Sequence, residues 1–165
     1  MSDLTAREDE ELLLLGRDAL KLKRYAQAAD YLAEYCERLT KKGTLVPGGV
    51  LASYGVSLGH THRLREGLAV CLNGVASDRR NPHVYWCLAE LYVLADFRRK
   101  ALEAVERGLA LSPGHPGLLR LRQELGVRQP TPLPFLSRAS ALNMRLGRLF
   151  HTLKEKASRR RLTSA

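Results

Sequence analysis

The feature that most constrains this chain is a recurring pair of small residues set 12 positions apart: Gly16 with Ala28, Gly55 with Gly67, and Ala89 with Ala101. Each pair is embedded in apolar residues at spacings of three and four. Leu12, Leu15 and Ala19 lead into Ala28 and Leu32. Leu51, Tyr54 and Leu58 lead into Gly67 and Cys71. Tyr85, Leu88 and Tyr92 lead into Ala101, Val105 and Gly108. Such spacing puts residues on one face of a helix. A small residue on each of two antiparallel helices lets their axes approach, and bulkier neighbours fill the grooves around the crossing. The intervening stretches, Lys23-Arg24, His60-Thr61-His62 and Asp96, are polar or turn-friendly. Each pair therefore predicts one helical hairpin, and three pairs predict an all-α chain built by repetition.

The second copy spans 48–81 and the third 82–115, so they follow each other with a period of 34 residues. The first spans 9–42 and is separated from the second by an insertion, Gly43 to Pro47. This pattern resembles the tetratricopeptide repeat (TPR). The third copy carries the signature positions Tyr85, Leu88, Ala89, Tyr92, Ala101 and Pro113. The second departs from it with Gly67 in place of alanine and Arg79 in place of proline, the first with Tyr35 and Thr40 at positions where the family usually has alanine and proline. The resemblance implies three TPR-like hairpins in a right-handed superhelix. It also implies a non-catalytic scaffold or adaptor whose first helices line a concave groove for a partner peptide or helix. Position by position, that groove takes Leu13, Arg17 and Lys21 from the first copy and Ala52, Ser53, Val56 and His60 from the second. The third copy gives His83, Trp86, Cys87, Glu90 and Leu94. The family's carboxylate-clamp subtype needs a Lys-Asn-Asn-Lys-Arg set where this chain has Leu13, Arg17, Ser53, His83 and Cys87, so a clamp is not expected. Trp86, the single tryptophan, is the expected anchor, because tryptophan is enriched among residues that dominate interface energy.

A stacked array leaves its last apolar face open unless something covers it. Residues 116–126 suit such a cap. Leu118, Leu121 and Leu125 share one helical face, Arg120, Arg122 and Glu124 are expected to face solvent, and Gly126 is a helix stop. The array with its capping helix accounts for 1–126. Residues 127–136 hold Pro130, Pro132 and Pro134, which cannot continue a helix and favour an extended strap or linker. From 137 to 165 the pattern is again helical, with an apolar stripe of Leu142, Leu146, Leu149, Phe150 and Leu153. Its cations are Arg138, Arg145, Arg148, Lys154, Lys156, Arg159, Arg160 and Arg161.

Charge follows the same division. Residues 1–126 hold 18 Lys/Arg against 16 Asp/Glu, whereas 127–165 hold 9 against one, so +8 of the net +10 lies in the tail. A basic amphipathic helix suits its own array, a second copy in a homodimer, a partner groove or an anionic membrane surface. Nucleic acid is the weaker expectation, since Phe135 and Phe150 are the tail's only aromatics and no binding motif is present. A secretion-type chaperone for one client agrees with the size and repeat number but not with the basic charge. No apolar run approaches the ~20 residues that cross a bilayer. The acidic start (Asp3, Glu8, Asp9, Glu10, Glu11) is the wrong sign for a secretory signal, so a cytoplasmic chain, with peripheral membrane contact as an option, is expected.

The sequence carries no catalytic constellation. Gly43 and Gly48 have the glycine spacing of a phosphate loop, but Gly49 and Val50 stand where its lysine and Ser/Thr belong. His60 and His62 are expected in a polar turn rather than on a metal, and no metal or other cofactor is implied. Cys36, Cys71 and Cys87 lack metal or redox spacing and are expected to be packed thiols. Cys87 lies one helical turn from His83, which allows contact but supplies no third group to orient a base.

Overall fold

The computed structural model describes residues 2–126, which form seven helices: α1 (Ser2–Lys21), α2 (Tyr25–Lys41), α3 (Gly48–His60), α4 (Leu64–Ser77), α5 (Pro82–Leu94), α6 (Arg98–Leu111) and α7 (Pro116–Leu125). The linker expected over 127–136 and the basic amphipathic helix expected over 137–165 lie outside the described residues. α1 packs on α2, α3 on α4 and α5 on α6; the first hairpin meets α3 mainly through α2, and the second meets α5 through both α3 and α4. α1 begins well before the repeat boundary expected at Asp9. That extension is held by Arg38 of α2, 3.0 Å from Glu8, and by Lys42, 2.5 Å from the largely buried carboxylate of Asp9.

The repeat is written into the helix ends. The first helices after the insertion start behind Pro47 and Asn81, and α7 starts behind His115, each 34 residues after the last. Asn81 Oδ1 accepts from the His83 amide at 3.0 Å, and His115 Nδ1 accepts from the Leu118 amide at 3.2 Å. Both caps are followed by proline at the first helical position, where a missing N–H costs nothing. α7 thus sits where a fourth first helix would. Within each hairpin the chain turns through a non-glycine residue with left-handed φ: Lys23 (57°), His62 (65°) and Asp96 (57°). The next amide in each case donates five residues back: Arg24 to Ala19, Arg63 to Leu58 and Phe97 to Tyr92. This bond closes a helix that ends in a left-handed residue. His60 is therefore the last residue of α3, and Thr61 and His62, rather than the His60–His62 triplet, make the turn.

The small-residue pairs lie at the crossings. A Cβ on Gly16 would stand 2.8 Å from Leu32 Cγ, and a Cβ on Gly55 would stand 2.5 Å from the Gly67 carbonyl and 2.9 Å from Cys71 Cβ. Leu32 and Cys71 occupy the same repeat position as Val105, and all three are fully buried. The second hairpin is tighter than its pattern predicts. Gly48 and Gly74 form a further backbone-to-backbone approach in the register set by Gly55 and Gly67. Each helical glycine costs about 1 kcal/mol against alanine. Close packing offsets that cost along α3 and α4, whose side-chain-free faces let the two backbones touch.

The cap behaves as its pattern predicts, with two additions. Leu118 is fully buried and fills the space left by Gly108, while Leu121 and Leu125 rest on the core. Arg122, expected in solvent, is half-buried. Arg98 of α6 donates to the carbonyls of Leu125 and Gly126, satisfying acceptors that a helix end otherwise leaves free.

Candidate functional site

α1, α3 and α5 stand side by side and enclose one face of a 720 Å³ cavity. Helical spacing decides which side chains enter it. On α5, His83, Trp86, Cys87 and Glu90 leave one face, while Tyr85, Leu88 and Tyr92 leave the face half a turn away. Of the residues expected in the groove, Arg17, Lys21, Ser53, Val56, His83, Trp86, Cys87 and Glu90 line the cavity. Leu13, His60 and Leu94 do not, and Ala52 is fully buried in the core. Leu94 sits at the C-terminal end of α5, 41% exposed and beyond the cavity rim.

The floor is polar and internally bonded. Ser53 Oγ lies 2.9 Å from His83 Nε2, and Cys87 Sγ lies 3.5 Å from the same nitrogen. Burial, reinforced by the neighbouring His115 and Arg17, pulls the His83 imidazole below its ordinary value and keeps it neutral. Burial pushes the Cys87 thiol far above its ordinary value and the Cys71 thiol up to about 12. Half-buried Cys36 is pushed up to about 11 by the same cause. None of these thiols offers a thiolate near neutral pH, so the Cys87–His83 contact is packing and hydrogen bonding rather than an activated nucleophile.

His60 ties helices together instead of occupying an open groove position. Its ring stacks on Tyr25 with centroids 3.8 Å apart, and Nε2 lies 3.0 Å from Glu90 Oε1. This chain of contacts links the three hairpins through α2, α3 and α5. Trp86 is likewise not a free-standing anchor. Its indole abuts Gly117 of α7, where a Cβ would stand 2.7 Å from Nε1, and it lies between His83 and His115 with ring centroids 5.4 Å and 6.4 Å away. The capping helix therefore backs one side of the ring and leaves the rest to the cavity.

Several lining residues escape the repeat pattern. Leu20 lies on α1, Lys23 in the first turn and Tyr25 at the start of α2; Pro47 ends the insertion, Gly49 and Val50 open α3, and Asp78 and Asn81 lie in the link into α5. The repeat template names only first-helix positions, so loop residues that close the ends of the cavity are invisible to it. The walls differ in charge: Arg17, Lys21 and Lys23 stand on the α1 side, Asp78 and Glu90 on the other. Lys21 is paired with Asp18 at 2.8 Å, and Asn81 Nδ2 donates to Asp78 at 2.9 Å. Among the described residues no three His, Cys, Asp or Glu side chains converge as a metal site requires, and no helix is long and apolar enough to cross a membrane.

Paired helices in a 34-residue register, a Gly/Ala crossing in each pair and a cavity along the first helices define the fold of TPR domains. Solved structures agree. The chain is similar in structure to the TPR domain of Arabidopsis OM64, with 14% identity, 71% of this chain and 93% of that chain covered, and a TM-score of 0.59. It is also similar to the first TPR of Spaghetti (RPAP3) bound to the HSP90 peptide SRMEEVD, with 15% identity, 71% and 91% covered, and a TM-score of 0.56. No family model and no curated protein matches the sequence. At these identities the likeness is one of fold.

Proposed function

We propose that the cavity along α1, α3 and α5 receives a segment of a partner protein, and that the chain works as a non-catalytic scaffold or adaptor. The observation that carries this is the 720 Å³ cavity itself, with an aromatic ring, an apolar Val56 and opposed charges on its walls. Its hydrogen-bonding groups at Ser53 and His83 are already paired within the floor, and its thiol is protonated, so it favours holding over reacting. The peptide held by the RPAP3 domain supports a peptide segment as the occupant class. That peptide's own chemistry does not transfer, since Leu13, Ser53 and Cys87 replace the polar groups of a clamp. The favoured segment carries an apolar side chain toward Trp86 and a carboxylate toward Arg17.

Peptides selected on the full chain from a random display library test this. Arg17→Glu is expected to weaken the selected peptides about tenfold, as loss of one attraction and gain of one repulsion requires. Trp86→Phe is expected to weaken them further while far-UV circular dichroism stays unchanged. Selected peptides that ignore both substitutions would place binding elsewhere. A stoichiometric client that co-purifies with the full chain and is insoluble alone would favour the chaperone reading.

A further inference from the structure

A second surface lies on the other side of α5. α4 and α6 make no helix–helix contact, and α5 forms the floor between them. Two adjoining hollows of 540 Å³ and 210 Å³ share Leu72, Val75, Tyr85 and Arg107 and make one cleft. Its walls are stripes at helical spacing. Leu72, Val75, Ala76 and Arg79 follow one another along and just past α4; Lys100, Glu103, Ala104 and Arg107 follow one another along α6. Seven residues of helix rise about 10 Å, so the cleft matches roughly two turns of wall.

The floor is apolar and the rim is cationic. Leu72 is 45% exposed, an open position for a leucine that no neighbouring helix covers. Arg79 and Arg107 stand at one end and Lys100 at the other, and among the described residues none of the three has an ion-pair partner. Lys100 is held instead over the rings of Tyr92 and Phe97, at 5.7 Å and 5.1 Å from their centroids. The one carboxylate at the rim, Glu103, is 3.1 Å from Arg99 and is already neutralised. The half-exposed Leu72, set above the packed apolar side chains of α5 and between unpaired cations, complements one kind of occupant.

We propose that the α4–α6 cleft is a second docking site, for an acidic partner segment that sets leucine-like side chains against Leu72, Val75 and Tyr85 and carboxylates against Arg79, Arg107 and Lys100. The site is independent of the cavity along α1, α3 and α5, because α5 sends opposite faces into the two. The chain then joins two polypeptides, one on each side of the third hairpin.

The test uses the full chain and a fluorescein-labelled peptide alternating Leu-Leu with Glu-Glu, followed by fluorescence anisotropy. The expected result is saturable binding that weakens as salt rises. Arg79→Glu with Arg107→Glu, both exposed, is expected to weaken it about tenfold, and Leu72→Asp to weaken it at least as much. Arg17→Glu is expected to leave it unchanged, which separates this surface from the first cavity. The basic tail is present in every variant, so an acidic peptide held by the tail alone would bind all of them equally and overturn the proposal. Loss with Arg17→Glu but not with Arg79→Glu and Arg107→Glu would move the peptide to the other cavity and overturn it equally. So would equal binding of the counterpart with lysine for glutamate.

Discussion

At the scale of single residues, burial of titratable groups sets how stability answers to pH. His83 is neutral in the fold, with its folded value below the ordinary 6.5 because of burial, His115 and Arg17. A depressed value means the unfolded chain takes up the proton first. Stability is then present above pH 6.5 and lost as pH falls below it. His83→Gln is expected to flatten the slope of denaturation midpoint against pH below about 6.5, where the wild-type chain weakens. The thiols act at the other end. Cys71 is raised from 9.0 to about 12 and Cys36 from 9.0 to about 11, so the unfolded chain ionises first and stability falls as pH climbs from 9 toward those values. Tyr25, Tyr35 and Tyr54, raised by burial, act in the same direction. In native protein at neutral pH, Cys71 and Cys87 should resist a thiol reagent until denaturant is added. Prompt labelling of both would contradict their burial.

At the scale of elements, the glycine crossings decide which substitutions the hairpins tolerate. Gly→Ala in a helix gains about 1 kcal/mol of propensity. At Gly16 the added methyl meets Cγ and Cδ2 of Leu32, buried side-chain atoms that can shift without separating the two backbones, so the overpacking is expected to offset most of the propensity gain. At Gly55 it meets the Gly67 carbonyl, which cannot move without separating α3 from α4. Gly55→Ala should therefore cost about 1–3 kcal/mol on balance, the range for overpacking, and Ala101→Leu should cost a similar amount in the third hairpin. Chemical denaturation of Gly16→Ala and Gly55→Ala side by side checks the contrast. The turns give a prediction of opposite sign. His62 is exposed with φ at 65°, so His62→Gly should stabilise the chain by about 1 kcal/mol, the order of the left-handed penalty it relieves.

The same crossings show how much of the fold was legible in the sequence. Gly16, Gly55 and Ala89 mark the hairpins because close approach demands small residues at fixed spacing, and spacing survives in a sequence. The Gly48–Gly74 approach was as visible in principle, since both lie in the register of Gly55 and Gly67, but a template of one pair per repeat passes over it. The site was legible where it depends on helical phase and illegible where it depends on neighbours. Arg17, Ser53, Val56, His83 and Glu90 follow from phase. His60 was displaced by Tyr25 and Glu90, and Trp86 acquired Gly117 behind it, contacts that only three-dimensional packing creates.

At the scale of the whole molecule, a near-neutral body of three hairpins and a cap is joined to a tail that holds +8 of the charge. The two parts invite separate tests. If the tail tethers the chain to an anionic surface, deleting 135–165 should abolish sedimentation with phosphatidylserine vesicles at low salt and leave the far-UV spectrum per residue helical. RNA binding measured in parallel should show no comparable loss. Retained vesicle binding after deletion would remove the tether reading.

On the proposed function, the hollow along α1, α3 and α5 holds a segment of another polypeptide. The most direct measurement is photo-crosslinking from a benzophenone amino acid placed at Lys21, an exposed residue on the cavity wall, with the peptide selected on the intact chain and the product mapped by mass spectrometry. Efficient crosslinks from position 21 that Arg17→Glu suppresses are the expected result. Crosslinks absent at position 21, yet present from a probe at exposed Leu111 on the outer helix α6, would contradict it.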